Sequence, residues 1–353
     1  MKKIIFSFLM FVAISCKKEV TGENPLNASA TPIATGVENS ITLLRNTNFG
    51  SIILGNFTNT KRVSIAKKLN AKYVRSTITM RGWRGRYFPY EAYIKSGIQV
   101  VLNVNQKPLN SPAVFPKDLT NYREKFNSIT NKYKPPVIVV ENEEINPHYH
   151  IGPMTDYINM LKVALDVCHS KGIKVTNGGI YGPQLEVLAY RYLRTKSQNR
   201  ADNFANNCMY PSQVKAAKNP GSAKDLEKKV RQLDTLLNFY HNLDYINVHL
   251  YEPFNPYVDP STVINATPFV VAGIQEYLKT KTGKPVMTNE TGQRDNTNPD
   301  LVASMLQKYD QLNFPYAIWY SGTGEGGCKP LHNLNTGNLY NNGISYSNFL
   351  ANY

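Results

Sequence analysis

Short runs of β-branched and aliphatic residues recur along this chain, and longer stretches with helical spacing separate them. The runs lie at 51–55, 72–78, 98–105, 136–140, 173–176, 245–251, 285–290 and 316–320. Helical patterns fall at 61–69, 119–132, 155–170, 268–281, 299–312 and 344–352. Residues 183–240 carry two further helical patterns around a polar insert near 198–222. In 155–170, Ile158, Leu161, Leu165 and Cys168 form one apolar stripe, and Gly172 supplies the stop. The short runs are almost continuously apolar, as strands buried on both faces must be. Eight strand–helix units in order predict an α/β fold, a single (β/α)8 TIM barrel over residues 46–353. A doubly wound open sheet alternates in the same way. No Gly-x-Gly-x-x-Gly follows the first run, however, so a dinucleotide cofactor is not expected.

The N-terminus departs from this rhythm. Lys2 and Lys3 precede an apolar run, residues 4–14, that is too short to span a bilayer. It leads into Ala13-Ile14-Ser15-Cys16, which resembles the lipobox of bacterial lipoproteins. The resemblance implies cleavage of a signal peptide (residues 1–15), diacylation of Cys16 and anchoring of the protein to the cell envelope membrane. An ordinary secretory signal with an incidental cysteine is the alternative. Residues 16–45 are rich in Asn, Thr, Ser, Gly and Pro and read as a tether.

The chain has 353 residues and a formal charge of +15, and loss of Lys2 and Lys3 would leave it basic. An acidic polysaccharide or an anionic cell surface would suit that charge. There is no helix-turn-helix, RNP or zinc-finger pattern, so nucleic acid is not an expected partner. With Cys16 acylated, Cys168, Cys208 and Cys328 remain, without metal-ligand spacing. Their odd number excludes complete pairing within one chain, and one disulfide is open to any two of them. No metal or organic cofactor is called for, and a monomer is expected. The 23 tyrosines suit surfaces that stack on sugar rings, although half-buried structural positions would use them equally well.

In a parallel barrel, reactive groups collect where the strands end. The second run carries Arg75, the fourth ends in Asn142-Glu143, and the sixth carries His249 and Tyr251. The seventh ends in Asn289-Glu290, and the eighth carries Trp319. Two carboxyls facing each other across a barrel mouth are what glycoside hydrolysis needs, one protonated and one ionised. This order of residues resembles clan A of the retaining glycoside hydrolases. The resemblance implies that Glu143 is the acid/base and Glu290 the nucleophile. It also implies that Asn142 binds a sugar hydroxyl, that Arg75 and Tyr251 support the nucleophile, that Trp319 floors the sugar subsite and that His249 supports the site. The proline common after the acid/base is absent, since Glu144-Ile145-Asn146 follows.

Other readings compete. Strand alternation would put Glu141 on the same face as Glu143, as a rival or supporting acid. Trp83 lies between Arg81, Arg84 and Arg86, as a sugar platform or as a loop anchor. His148 and His150 could line a subsite, and no third metal ligand accompanies them. A non-catalytic glycan-binding lipoprotein on a degenerate barrel is the competing function. A Schiff-base enzyme is disfavoured because no strand ends in a suitable lysine.

Overall fold

The computed structural model describes residues 46–108, 112–252, 260–293, 298–320 and 330–353, with backbone alone for 260–268. The signal peptide, Cys16, the tether and Cys328 lie outside the described residues. The strands are β1 (Asn48–Ile52), β2 (Tyr73–Thr79), β3 (Gln99–Asn105), β4 (Ala113–Val114) and β5 (Val137–Val140), then β6 (His150–Ile151), β7 (Lys174–Thr176), β8 (Ile246–Glu252), β9 (Val286–Gln293) and β10 (Tyr316–Trp319). Eight of them pair in the order β7-β5-β3-β2-β1-β10-β9-β8, and every pairing is parallel. The ends of this sheet meet through parallel bridges Thr176–Tyr245 and Ile180–Val248, which close the barrel. The eight barrel strands coincide with the eight apolar runs, and the (β/α)8 fold stands.

Alternation along each strand divides the interior into two parts. Ile52, Val101, Val137, Val139, Met287, Tyr316 and Ile318 fill the lower lumen. Their neighbours, such as Val100, Leu102, Ile138, Val140, Val248, Leu250 and Ala317, face outward into the layer packed against the helices. Above the apolar plug, the lumen becomes polar through Arg75, Asn103, Asn247, His249 and Asn289, all buried.

The helices are α1 (Asn59–Lys68), α2 (Phe88–Lys95), α3 (Leu119–Lys132), α4 (Met154–His169), α5 (Pro183–Lys196) and α6 (Gln198–Cys208), then α7 (Pro211–Lys218), α8 (Lys224–Tyr240), α9 (Pro260–Thr282), α10 (Pro299–Gln311) and α11 (Asn341–Ala351). Two features correct the sequence reading. The polar insert near 198–222 is largely helical, as α6 and α7. Ser197 caps α6 through its hydroxyl, and Pro211 opens α7. Only one face of α6 is apolar, with Ala201, Phe204, Ala205 and Cys208 buried, so its composition looks like a loop. Second, β4 and β6 form a small parallel pair outside the barrel. Cys168 on α4 and Cys208 on α6 are both buried free thiols.

Candidate active site

Glu290 lies on β9 where the strand carries an extra residue. Against β8 the register runs Asn247–Met287 and then His249–Glu290, and β10 shows the same shift. This bulge breaks strict alternation, so the adjacent residues Asn289 and Glu290 both bond to groups of the lumen. The Thr288 hydroxyl donates to the Glu290 carbonyl at 3.0 Å and accepts from the Glu290 amide at 3.3 Å, which pins the irregular turn.

Three groups converge on the Glu290 carboxylate. Arg75 on β2 pairs with Oε2, and the Tyr251 hydroxyl on β8 donates to Oε1. His249 Nδ1 stands 4.0 Å from Oε2. Burial alone would raise this carboxyl. The charges of His249 and Arg75, together with the two donors, outweigh burial and hold it below the usual carboxylate range. Arg75 also donates from Nη2 to Asn142 Oδ1 at 2.8 Å, which ties the end of β5 to the same charge.

Glu143 meets this cluster from the other side. Its Oε1 lies 2.9 Å from His249 Nδ1, and its Oε2 accepts from Asn146 Nδ2 at 2.6 Å. His249 is fully buried, which disfavours its cation, yet Glu290 and Glu143 raise its proton affinity above the ordinary value. Two oxygens, one from Glu143 and one from Glu290, lie within 4.8 Å of each other, with a His249 nitrogen in the same group. Such a triad has the spacing of a metal site. Here both Glu290 oxygens already serve a guanidinium and a phenol, a donor set that suits a bare carboxylate better than a cation.

β5 ends at Val140, and the chain then leaves the extended conformation. Glu141 and Glu143 both have left-handed backbone, φ 67° and 45°. Each such residue costs about 1–3 kcal/mol, and such strain collects at functional sites. It also removes the alternation argument that set Glu141 beside Glu143. The Glu141 carboxylate instead accepts from the Gln106 amide at 2.9 Å, and burial pushes it up to about 8. Glu144 is buried elsewhere, taking donors from Tyr240 and Asn177.

Glu143, Glu290, Asn142, Arg75, His249 and Tyr251 therefore come together. Trp319 and Trp83 do not. Trp319 is fully buried with outward parity and packs edge-on against Tyr346 of α11. The next residue, Tyr320, has the inward parity of Tyr316 and Ile318. It borders a cavity of about 280 Å³ together with Glu290, Arg75, Tyr87, Asn142 and Tyr149. Trp83 is a loop anchor, with its indole N–H donating to Ser128 Oγ at 2.9 Å and its ring edge on Tyr133. His148 is exposed. His150 stacks on Phe115 and bonds the Asn142 carbonyl at 2.9 Å, and burial lowers it to about 4. The sequence reading placed Asn289 at the end of the seventh run without a role, gave none to Asn146, and passed over Tyr320, Tyr149 and the buried asparagines 103 and 247. Only the Tyr316/Ile318/Tyr320 alternation offered a signal.

No family model matches the chain, and no curated protein matches it. Among solved structures it is similar to a glucosidase from Croceicoccus marinus, with TM-score 0.55 and 11% identity over 87% of this chain and 68% of that one. It is also similar to ZgEngAGH5_4 in complex with a cellotriose, with TM-score 0.54 and 14% identity over 86% and 95%. A third is a hyperthermostable endo-1,4-β-D-mannanase from Thermotoga petrophila, with TM-score 0.53 and 11% identity over 87% and 100%. At such identities the likeness speaks for the fold.

Proposed function

We propose that this chain is a retaining glycoside hydrolase that cleaves β-glycosidic bonds in a polysaccharide or oligosaccharide. The observation that carries the reading is the pair Glu143 and Glu290, buried in unlike surroundings with oxygens within 4.8 Å. Oxygens that close suit the ~5–5.5 Å separation of carboxyl groups in retaining enzymes, whereas the ~6.5–9.5 Å of inverting ones leaves room for a water between them. The neighbours named as a glucosidase and a mannanase, and the one bound to cellotriose, support the substrate class.

In the first step Glu290 attacks the anomeric carbon, and the bond to the leaving oxygen breaks as Glu143 protonates that oxygen. In the second, water attacks the anomeric carbon, its proton passes to Glu143, and the bond to Glu290 breaks. Arg75 and Tyr251 keep Glu290 ionised and aimed. Tyr320 and Tyr149 line the cavity. The N-terminus adds a second part to the proposal. Cys16 is diacylated and holds the barrel at the cell envelope, and Cys16→Ser should move the protein from the membrane fraction to the soluble one.

Glu290→Ala should abolish turnover across a polysaccharide panel while leaving the circular dichroism spectrum unchanged, and wild-type product should keep the substrate's anomeric configuration. Turnover surviving in Glu290→Ala would end the proposal. Binding without turnover by the wild type would mark a glycan-binding protein instead.

A further inference from the structure

The lumen contains buried asparagines whose orientations fix one another. Asn103 Nδ2 donates to the Glu141 carbonyl at 3.0 Å, so its Oδ1 must be the atom facing Asn289, and Asn289 Nδ2 donates to it at 3.1 Å. A second line reaches the same residue. The Asn289 amide donates to Asn247 Oδ1 at 2.9 Å, which leaves Asn247 Nδ2 to donate to the Asn177 carbonyl and, at 2.7 Å, to Asn289 Oδ1. Backbone groups anchor both lines, and backbone groups cannot exchange donor for acceptor. Asn289 Oδ1 is therefore an acceptor, and it lies 2.9 Å from His249 Nε2.

It follows that Nε2 of His249 carries a hydrogen. A neutral His249 then has its lone pair on Nδ1, facing Glu143 Oε1 at 2.9 Å. If both groups lost their protons, two lone pairs would meet at that distance in a dry site. We infer that Asn289 is a positioning residue that locks the tautomer of His249, so that one proton is held between His249 Nδ1 and Glu143 Oε1. This rests on the glycosidase reading for its use. The held proton goes to the leaving oxygen as the glycosidic bond breaks, and the attacking water returns one to the same pair. With the opposite tautomer, Nδ1–H would donate to an ionised Glu143, leaving the carboxylate without a proton to deliver. The charged groups around His249 are Glu143 and Glu144 after β5, Glu290 on β9 and Arg75 on β2.

The lock is measurable without substrate. In the full chain labelled with 15N-histidine, the His249 signal is identified by its loss in His249→Gln. Nε2 should show a directly bonded hydrogen across the whole pH range in which the protein is folded. An unprotonated Nε2 in the wild type overturns the inference, whatever the enzyme does with glycans. Asn289→Asp keeps the acceptor and should keep the Nε2–H, with the basic limb of the kcat/KM profile moved upward by the added charge. Asn289→Leu removes the acceptor, should give a mixture of tautomers, and should lower kcat by about ten- to a hundredfold, a part of what general acid catalysis contributes. Equal losses in the two variants with an unmoved pH profile would reduce Asn289 to a packing residue and overturn the inference. Absence of glycosidase activity in the wild type would strike the proposed function alone and leave the NMR result standing.

Discussion

Replacing Arg75 by Met removes one charge and keeps most of the stem volume. The side chains of Arg75 and Glu290 are only 4% and 12% exposed, so solvent screens the pair little. Breaking a buried pair by removing one partner costs about 3–5 kcal/mol, because the remaining charge stays buried without compensation. Asn142 Oδ1 loses its donor as well. Burial then weighs more heavily on Glu290, and its carboxyl moves upward. In the native chain this carboxyl is held below its ordinary value. Its contribution to stability is therefore present above the unfolded value of ~4.3 and is lost as pH falls through the lower folded value. In Arg75→Met that contribution disappears. The stability gap between the two proteins should be widest near neutrality and should narrow toward pH 3. Urea unfolding at several pH values measures the gap, and kcat/KM profiles should show the acid limb displaced upward in the variant. A constant gap at every pH, with an unmoved acid limb, would refute the coupling of Arg75 to Glu290.

Three other outcomes follow from the same geometry. Tyr251→Phe removes a hydrogen bond to a buried charged oxygen, worth about 1.5–3 kcal/mol, and should lower kcat/KM by about ten- to a hundredfold together with a measurable fall in melting temperature. Trp319→Ala should cost about 3–5 kcal/mol in calorimetry while the folded fraction keeps its KM, whereas Tyr320→Ala should raise KM with little effect on stability. Glu141, pushed up to about 8 by burial, stays protonated in the folded chain over a range where the unfolded chain is ionised. The contribution of Glu141 to stability should thus fall between about pH 4.5 and about pH 8, and in denaturant titrations the difference between wild type and Glu141→Gln should shift in the variant's favour over that range.

The barrel was legible because strands buried on both faces must be apolar runs, and eight such runs leave few topologies. The carboxylates were legible because strand ends can be located even when boundaries shift by a residue or two. Parity was harder to read. Trp319 stood out as a large aromatic at a strand end, yet one residue decides which side a strand side chain faces, and Tyr320 has the inward place. The bulge at Asn289 and the left-handed turns at Glu141 and Glu143 leave no mark in hydrophobic periodicity, and they are what turn both Asn289 and Glu290 toward lumen groups and send Glu141 away. The strands β4 and β6 are two residues each, below the length at which alternation can show. Helix α6 was hidden because an outer-layer helix needs only one apolar face.

The closure between β7 and β8 has one more consequence. Few main-chain ladder bonds cross it, and Asn177 and Asn247 reinforce them by exchanging side-chain and main-chain bonds at 2.7–3.3 Å. Asn247 also holds Asn289. The barrel's mechanical clasp and the orientation of His249 thus depend on the same amide. An opening fluctuation at this clasp would release the His249 tautomer at the same moment. Amide exchange at the clasp and loss of the His249 Nε2–H signal should then follow one another across temperature, so that the polar lumen softens on heating before the fold itself gives way.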